Sequence, residues 1–227
     1  MIVQKYLVQQ GICSRREAEA LLKAGHIYVN GKPARPGVPL EPTDVVTIDS
    51  AGQTKLDTKM TVAIYKPRGV MCTTSEKEGM NVFQVFPEYN NLHLVGRLDK
   101  ESEGLLLLSN DGLITKQVTG DLHTTEKEYE VTVLEKVFAG KLKPMQDGMK
   151  LADRPTLPAQ VWVLDNHTFR IILREGRNRQ IRRMCGALNL TVETLKRIRI
   201  GQIELDEMEP GQSRKLTAEE IQTLKKV

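Results

Sequence analysis

The residues best placed to do chemistry gather in one short stretch. Gly96-Arg97-Leu98-Asp99-Lys100 runs through Glu101-Ser102-Glu103 to Gly104 and four leucines, Leu105–Leu108. A single carboxylate, Asp99, stands between Arg97 and Lys100, and nearby positive charge favours the ionised carboxyl. A general acid needs the opposite, surroundings that keep its proton near neutral pH. Glu101 and Glu103 are close enough in sequence for a two-carboxylate glycosidase, and a salt-bridged turn is the plain structural alternative. The flanking cations argue instead for a standing carboxylate, a nucleophile or an acceptor of a proton from carbon, working on an anionic or electron-poor substrate.

Other chemistries find little support. The chain holds no Gly-rich phosphate loop with Lys-Ser or Lys-Thr and no Gly-x-Gly-x-x-Gly. No serine sits in a nucleophile elbow. His26, His93, His123 and His167 show no i, i+4 pairing and form no ligand cluster. Cys13, Cys72 and Cys185 are odd in number, far apart and without a Cys-x-x-Cys pair, so neither a disulfide framework nor a metal site is expected. They fit a reducing, cytoplasmic setting. No apolar run reaches membrane-spanning length and no charged-then-apolar leader is visible, so a soluble protein without a membrane partner is expected.

The net charge is +4 with a pI near 8.9, and it is unevenly spread. Arg170, Arg174, Arg177, Arg179, Arg182, Arg183, Lys196, Arg197 and Arg199 crowd into thirty residues that hold only Glu175 and Glu193 as acids. Arginine grips phosphate with two parallel hydrogen bonds and stacks on bases, so this segment reads as the footprint of a nucleic-acid binder. Its alternative is a solvated, salt-bridged face. Arg15 and Arg16 fall in the first turn of a helix, where cations oppose the helix dipole. That placement suggests a binding surface.

The elements that must position these groups follow from spacing. Val3, Tyr6 and Leu7 give a first helix ended by Gly11. Ser14-Arg15-Arg16-Glu17 is a capping box opening a second, with Ala18, Leu21 and Leu22 as its stripe. His26–Val29 alternates as a strand, Asn30-Gly31 marks a hairpin turn, and Val45–Ile48 supplies another strand. Residues 1–50 thus form a small α/β module. Residues 51–60 are polar, small and without period, and read as a linker. The body, 61–227, contains a buried strand at Thr61–Tyr65, a second at Leu105–Leu108, a half-buried one through Tyr129, Val131 and Val133, and a hairpin of 161–163 with 169–173. An amphipathic helix is expected over 178–188, and Thr217 with Glu220 caps a last one. The fold class is α+β, a mixed or antiparallel sheet with flanking helices; a monomer is the default.

Gly96-Arg97-Leu98-Asp99-Lys100 followed by Gly104-Leu105 resembles the catalytic motif of the RsuA-type RNA pseudouridine synthases. Residues 1–50 look like the S4 RNA-binding module of that family. Lys66-Pro67-x-Gly69 is similar to its first motif, and Glu126-Lys127-x-Tyr129 to the one supplying the active-site tyrosine. Glu175 to Met184 is similar to its third. The resemblance implies the pseudouridine synthase fold and a cofactor-free isomerisation of uridine to pseudouridine within RNA. It makes Asp99 the essential carboxylate, Arg182 its pairing partner and Tyr129 the residue stacked on uracil. Arg97 would hold the flipped nucleotide, Ile181 would line the base pocket, and Lys66 and Pro67 would back the tyrosine. Arg177 and Arg179 would contact substrate, and Arg15, Arg16, Lys23 and Lys32 would carry RNA on the S4-like module. Ribosomal RNA, of the large-subunit type, is the expected partner, with transfer RNA and a purely RNA-binding ribosome-assembly role as alternatives. An enzyme of this kind must flip its base out of the stack, which needs a phosphate-gripping surface and an apolar or aromatic pocket.

Overall fold

A computed structural model describes residues 1–75, 79–120 and 125–225; His123 lies outside them. Two short helices open the chain, α1 (Val3–Gln9) and α2 (Arg15–Lys23). The Ser14 hydroxyl accepts from the Glu17 N–H, and the Glu17 carboxylate accepts from the Ser14 N–H at 2.6 Å. Two N–H groups left over at the helix start are thereby satisfied. A hairpin follows, β1 (Ile27–Val29) with β2 (Lys32–Pro33). Asn30 and Gly31 between them both have positive φ, 50° and 75°, as a two-residue turn matched to strand twist requires. β3 (Val46–Ile48) pairs with the other edge of β1. Val3, Leu7, Leu21, Leu22 and Ile27 close a core of their own.

The segment expected to be a linker is ordered. Residues Ser50–Asp57 form helix α3, whose N-terminus is capped by Asp49 accepting from the Gly52 N–H at 2.7 Å. A Cβ on Gly52 would lie 2.6 Å from the Ile48 side chain and 2.8 Å from His26, and Leu56 packs on the module core. A cap and one glycine contact hold this helix, so no apolar stripe announces it.

The body follows in chain order as β4 (Thr61–Lys66), α4 (Val82–Val85), β5 (His93–Val95), β6 (Glu103–Ser109), α5 (Gly112–Thr119), β7 (Lys127–Val133) and α6 (Ala139–Asp147). Then come β8 (Gln160–Val163), β9 (Thr168–Leu173), α7 (Gln180–Ala187), β10 (Val192–Ile200), β11 (Ile203–Glu204), β12 (Ser213–Lys215) and α8 (Ala218–Lys225). Its strands form one sheet in the order β12-β4-β6-β10-β7-β9-β8, with β11 on β10 and β5 on β6. The β6–β10 pairing is parallel and the others are antiparallel. This is the expected mixed sheet.

The four leucines show why β6 reads as an unbroken apolar run. Leu105 and Leu107 enter the core under α5 and α8, while Leu106 and Leu108 enter another under Val82 and Phe86. A strand covered on both faces has no polar positions to alternate. β7 and β9 are covered on one face only. Tyr129, Val131 and Val133 pack toward α6 and α7, and Glu128 and Glu130 take the opposite face. Thr217 and Glu220 exchange hydrogen bonds at the start of α8, as expected. Among the described residues no helix is long and apolar enough to cross a membrane.

Candidate active site

An open cleft of about 600 Å³ lies where the loop after β5, the inner face of β7 and β10, and the approach to α7 converge. Asp99, Tyr129, Ile181, Arg97, Arg177 and Arg179 line it, so the structure brings together most of the residues singled out in the sequence. Asp99 sits in a tight turn between β5 and β6, where the Ser102 N–H donates to the Asp99 carbonyl at 3.1 Å. The buried β6 leucines fix one end of that turn. A neighbouring loop braces it, because the Gly69 N–H donates to the Lys100 carbonyl at 2.7 Å.

Lys66 holds that bracing loop. Its side chain is fully buried, and its ammonium donates to the carbonyls of Pro67 (2.8 Å) and Val70 (2.7 Å). Burial holds its pKa below the ordinary lysine range. The Lys66 ammonium is thus engaged by the 67–70 loop, which in turn steadies the Asp99 turn.

The partner of Asp99 also differs from expectation. Arg179 Nη1 lies 3.9 Å from the Asp99 carboxylate and 2.8 Å from Glu101. Arg182 instead donates to the backbone carbonyls of Glu101 at 3.1 Å and Val192 at 3.5 Å. The reason is where the helix begins. Arg179 is the N-cap of α7 in left-handed backbone, φ 49°, which turns it toward the Asp99 turn. Arg182, inside the helix, reaches the same turn through the Glu101 carbonyl and bridges it to the start of β10, within the field of the Asp99 carboxylate but without an ion pair to it. The Arg179 hydrogen bond holds Glu101 below its ordinary pKa.

The dense arginine segment is largely neutralised within the protein. Arg170, Arg174 and Arg199 pair with Glu128 and Glu130 of β7 and with Glu126 just before it, acids that lie far away in sequence and are brought close by the sheet. Arg177 and Arg183 share Asp153. Arg177, expected on RNA, also donates to the carbonyls of Arg154 and Pro155 and thus clasps that segment. Three exposed cations line the cleft mouth without an ion pair among the described residues: Arg97, Lys100 and Arg154. On the N-terminal module Arg15, Arg16, Lys23 and Lys32 are exposed, Arg15 pairing with Glu19 at 3.1 Å.

A charge cluster joins that module to the body. Lys59 bridges Glu17 (3.1 Å) and Asp111 (3.2 Å), and Lys225 reaches Asp111 at 2.8 Å. Burial alone would raise the Asp111 pKa; the Lys225 hydrogen bond and the Lys59 charge outweigh it and hold the carboxyl low.

Two cleft residues had no assigned role in the sequence. Lys127 precedes Tyr129 by two on β7 and so shares its face. Arg197 lies directly across from Tyr129 on β10, its guanidinium 6.0 Å from the ring centroid. Strand alternation around Tyr129 could have found Lys127. Arg197 needed the sheet order.

The arrangement offers a carboxylate, an aromatic ring, apolar walls of Ile181, Leu173 and Leu195, and a cationic rim. Such a cleft can take one flat base from an anionic polymer. Residues 60–187 match the family model for RNA pseudouridylate synthase, and residues 3–46 match that for the S4 domain. The chain is 34% identical over 223 residues to the dual-specificity RNA pseudouridine synthase RluF of Escherichia coli, covering 96% of this chain and 76% of that one. It is 33% identical to the ribosomal small subunit pseudouridine synthase A of Pasteurella multocida, with both chains fully covered. It is 37% identical to the ribosomal large subunit pseudouridine synthase B of Vibrio cholerae, covering 92% and 68%. A crystal structure of a pseudouridylate synthase superposes with a TM-score of 0.71 at 29% identity, over 99% of each chain.

Proposed function

Because the chain belongs to the RNA pseudouridylate synthase family and carries an S4 domain ahead of the catalytic body, we propose that it converts a uridine of ribosomal RNA to pseudouridine with Asp99 as the essential carboxylate. The observation that carries this reading is Asp99 sharing one cleft with Tyr129, under a rim of unpaired cations. The reaction breaks C1′–N1, joins C1′ to C5, removes the C5 proton and returns a proton to N1. Substrate and product have the same atoms, so neither oxidant nor reductant is needed. Asp99 presents its carboxylate to the sugar–base junction. Tyr129 and Ile181 hold the flipped base, and the rim cations hold the phosphates that a flipped nucleotide leaves behind. Arg179 keeps a positive charge beside Asp99.

Residues 1–50 serve in this reading as the RNA-anchoring unit, through Arg15, Arg16, Lys23 and Lys32, and 61–227 as the catalytic unit. The S4-domain match over 3–46 supports that division. Relatives named for the small and for the large ribosomal subunit are of similar identity, so both RNAs belong in the test. Wild type and Asp99→Asn are incubated with unmodified ribosomal RNA transcripts, and pseudouridine is mapped by carbodiimide labelling and primer-extension stops. A stop made by wild type alone is expected. Equal stops from both proteins would remove Asp99 from the mechanism, and no stop on free or partly assembled ribosomal RNA would remove the function.

A further inference from the structure

Beneath its exposed rim the cleft holds two buried or half-buried cations that no carboxylate answers. Arg197 is only 3% exposed. Its Nε donates to the Leu105 carbonyl at 2.7 Å, while its Nη2 is buried without a hydrogen-bond partner. Lys127, half-buried beside it, donates to the Thr125 carbonyl at 3.2 Å. Neither forms an ion pair among the described residues, although seven other arginines of the same sheet and its flanks do. A buried cation without a counter-charge is costly, and a buried donor without an acceptor adds to that cost. Burial and the Arg197 charge push Lys127 down to about 8. Both side chains line the cleft that holds Asp99 and Tyr129.

A visitor that would satisfy them is flat, accepts hydrogen bonds and becomes negative during the reaction. Uracil meets this description. When C1′–N1 breaks, the electron pair stays on the base and its charge spreads over N1 and the two carbonyl oxygens. The ring then turns, C5 bonds to C1′, the C5 proton leaves and N1 is protonated.

We propose that Lys127 and Arg197 form a cationic floor of the base pocket that grips the uracil carbonyl oxygens and stabilises the detached base as an anion. The inference rests on the functional reading above. Fixed positive charge aimed at charge that develops only during reaction lowers the barrier more than it tightens ground-state binding. The same floor disfavours cytosine, whose exocyclic amine would turn a donor toward donors.

The test uses the full-length protein and an RNA carrying the mapped uridine. Single-turnover pseudouridine formation and RNA affinity are measured for wild type, Lys127→Met and Lys127→Arg. Removing such a group should slow the Met variant about 100-fold, with RNA affinity within about threefold, and arginine should restore much of the rate. A Met variant as fast as wild type, or one that loses rate only in step with affinity, overturns the floor. Should the Met variant fail to fold, wild type decides alone: its rate should fall as pH rises through about 8 at constant RNA affinity, and a flat profile overturns the proposal. A wild type inactive on every RNA refutes the functional reading and this inference with it, whereas an active wild type with an unaffected variant refutes the inference only.

Discussion

Gly104 and Arg197 face each other across the parallel pairing of β6 and β10 so closely that a Cβ on the glycine would lie 2.3 Å from the Arg197 carbonyl oxygen and 2.8 Å from its nitrogen. The glycine also has a φ of +100°, a conformation that side chains resist. This one contact sets the spacing between the strand that ends the Asp99 turn and the strand that carries Arg197. Gly104→Ala should therefore combine backbone strain with a forced opening of the sheet. We expect a loss of about 3 kcal/mol or more in chemical denaturation, with activity lost in the fraction that still folds. A stability change under about 1 kcal/mol would show that the strands can part without cost.

Arg179 and Arg182 should separate by what they change. Arg179 is half-exposed and near the Asp99 carboxylate, so Arg179→Met should cut turnover by about tenfold or more while leaving the melting temperature nearly unchanged. Arg182 ties α7 to the Glu101 and Val192 carbonyls, so Arg182→Met should lower the melting temperature. Steady-state kinetics beside thermal melts would show the split. The reverse pattern would restore Arg182 as the partner of Asp99.

RNA affinity should depend on the cations that have no protein partner. Alanine at Arg97, Lys100 or Arg154 should each reduce the slope of log affinity against log salt by about one. Alanine at Arg170 or Arg174, which pair with Glu130 of β7 and with Glu126 just before it, should leave that slope unchanged. Filter binding across a salt series reads both. A slope that responds to the paired arginines would mean that RNA breaks those ion pairs.

The junction between module and body should be acid-labile. The Asp111 carboxyl is 2% exposed and held low by Lys225 and Lys59 against the effect of burial. A carboxyl depressed in the folded state contributes stability that is fully present above its unfolded pKa and is lost as pH falls through the folded value. Asp111→Asn should thus be less stable than wild type near neutral pH, by about 2 kcal/mol. The gap should close as pH drops below the ordinary carboxylate range. Denaturation of both proteins across pH measures it, and a gap independent of pH would assign the loss to packing.

The sequence alone determined the elements whose signals are local. Ser14 with Glu17, Asn30-Gly31 and Thr217 with Glu220 each act within three residues, so their chemistry survives without any fold. The Leu105–Leu108 run announced a strand buried on both faces, and the motif around Asp99 marked the carboxylate. What only the tertiary structure decided depends on strands that are distant in the chain. The excess of arginine over 170–199 looked unpaired because its partners, Glu126, Glu128 and Glu130, lie some forty to seventy residues away and become neighbours only when β7 pairs with β9 and β10. Helix α3 has no periodic apolar stripe in the sequence, because a cap and a close glycine contact hold it. Arg179 came within 3.9 Å of Asp99 from a left-handed N-cap position, and Arg197 joined the cleft through sheet order. Hydrogen-bonding caps and apolar periods are written in nearest neighbours, whereas electrostatic pairing is set by distance in space, which the chain acquires only on folding.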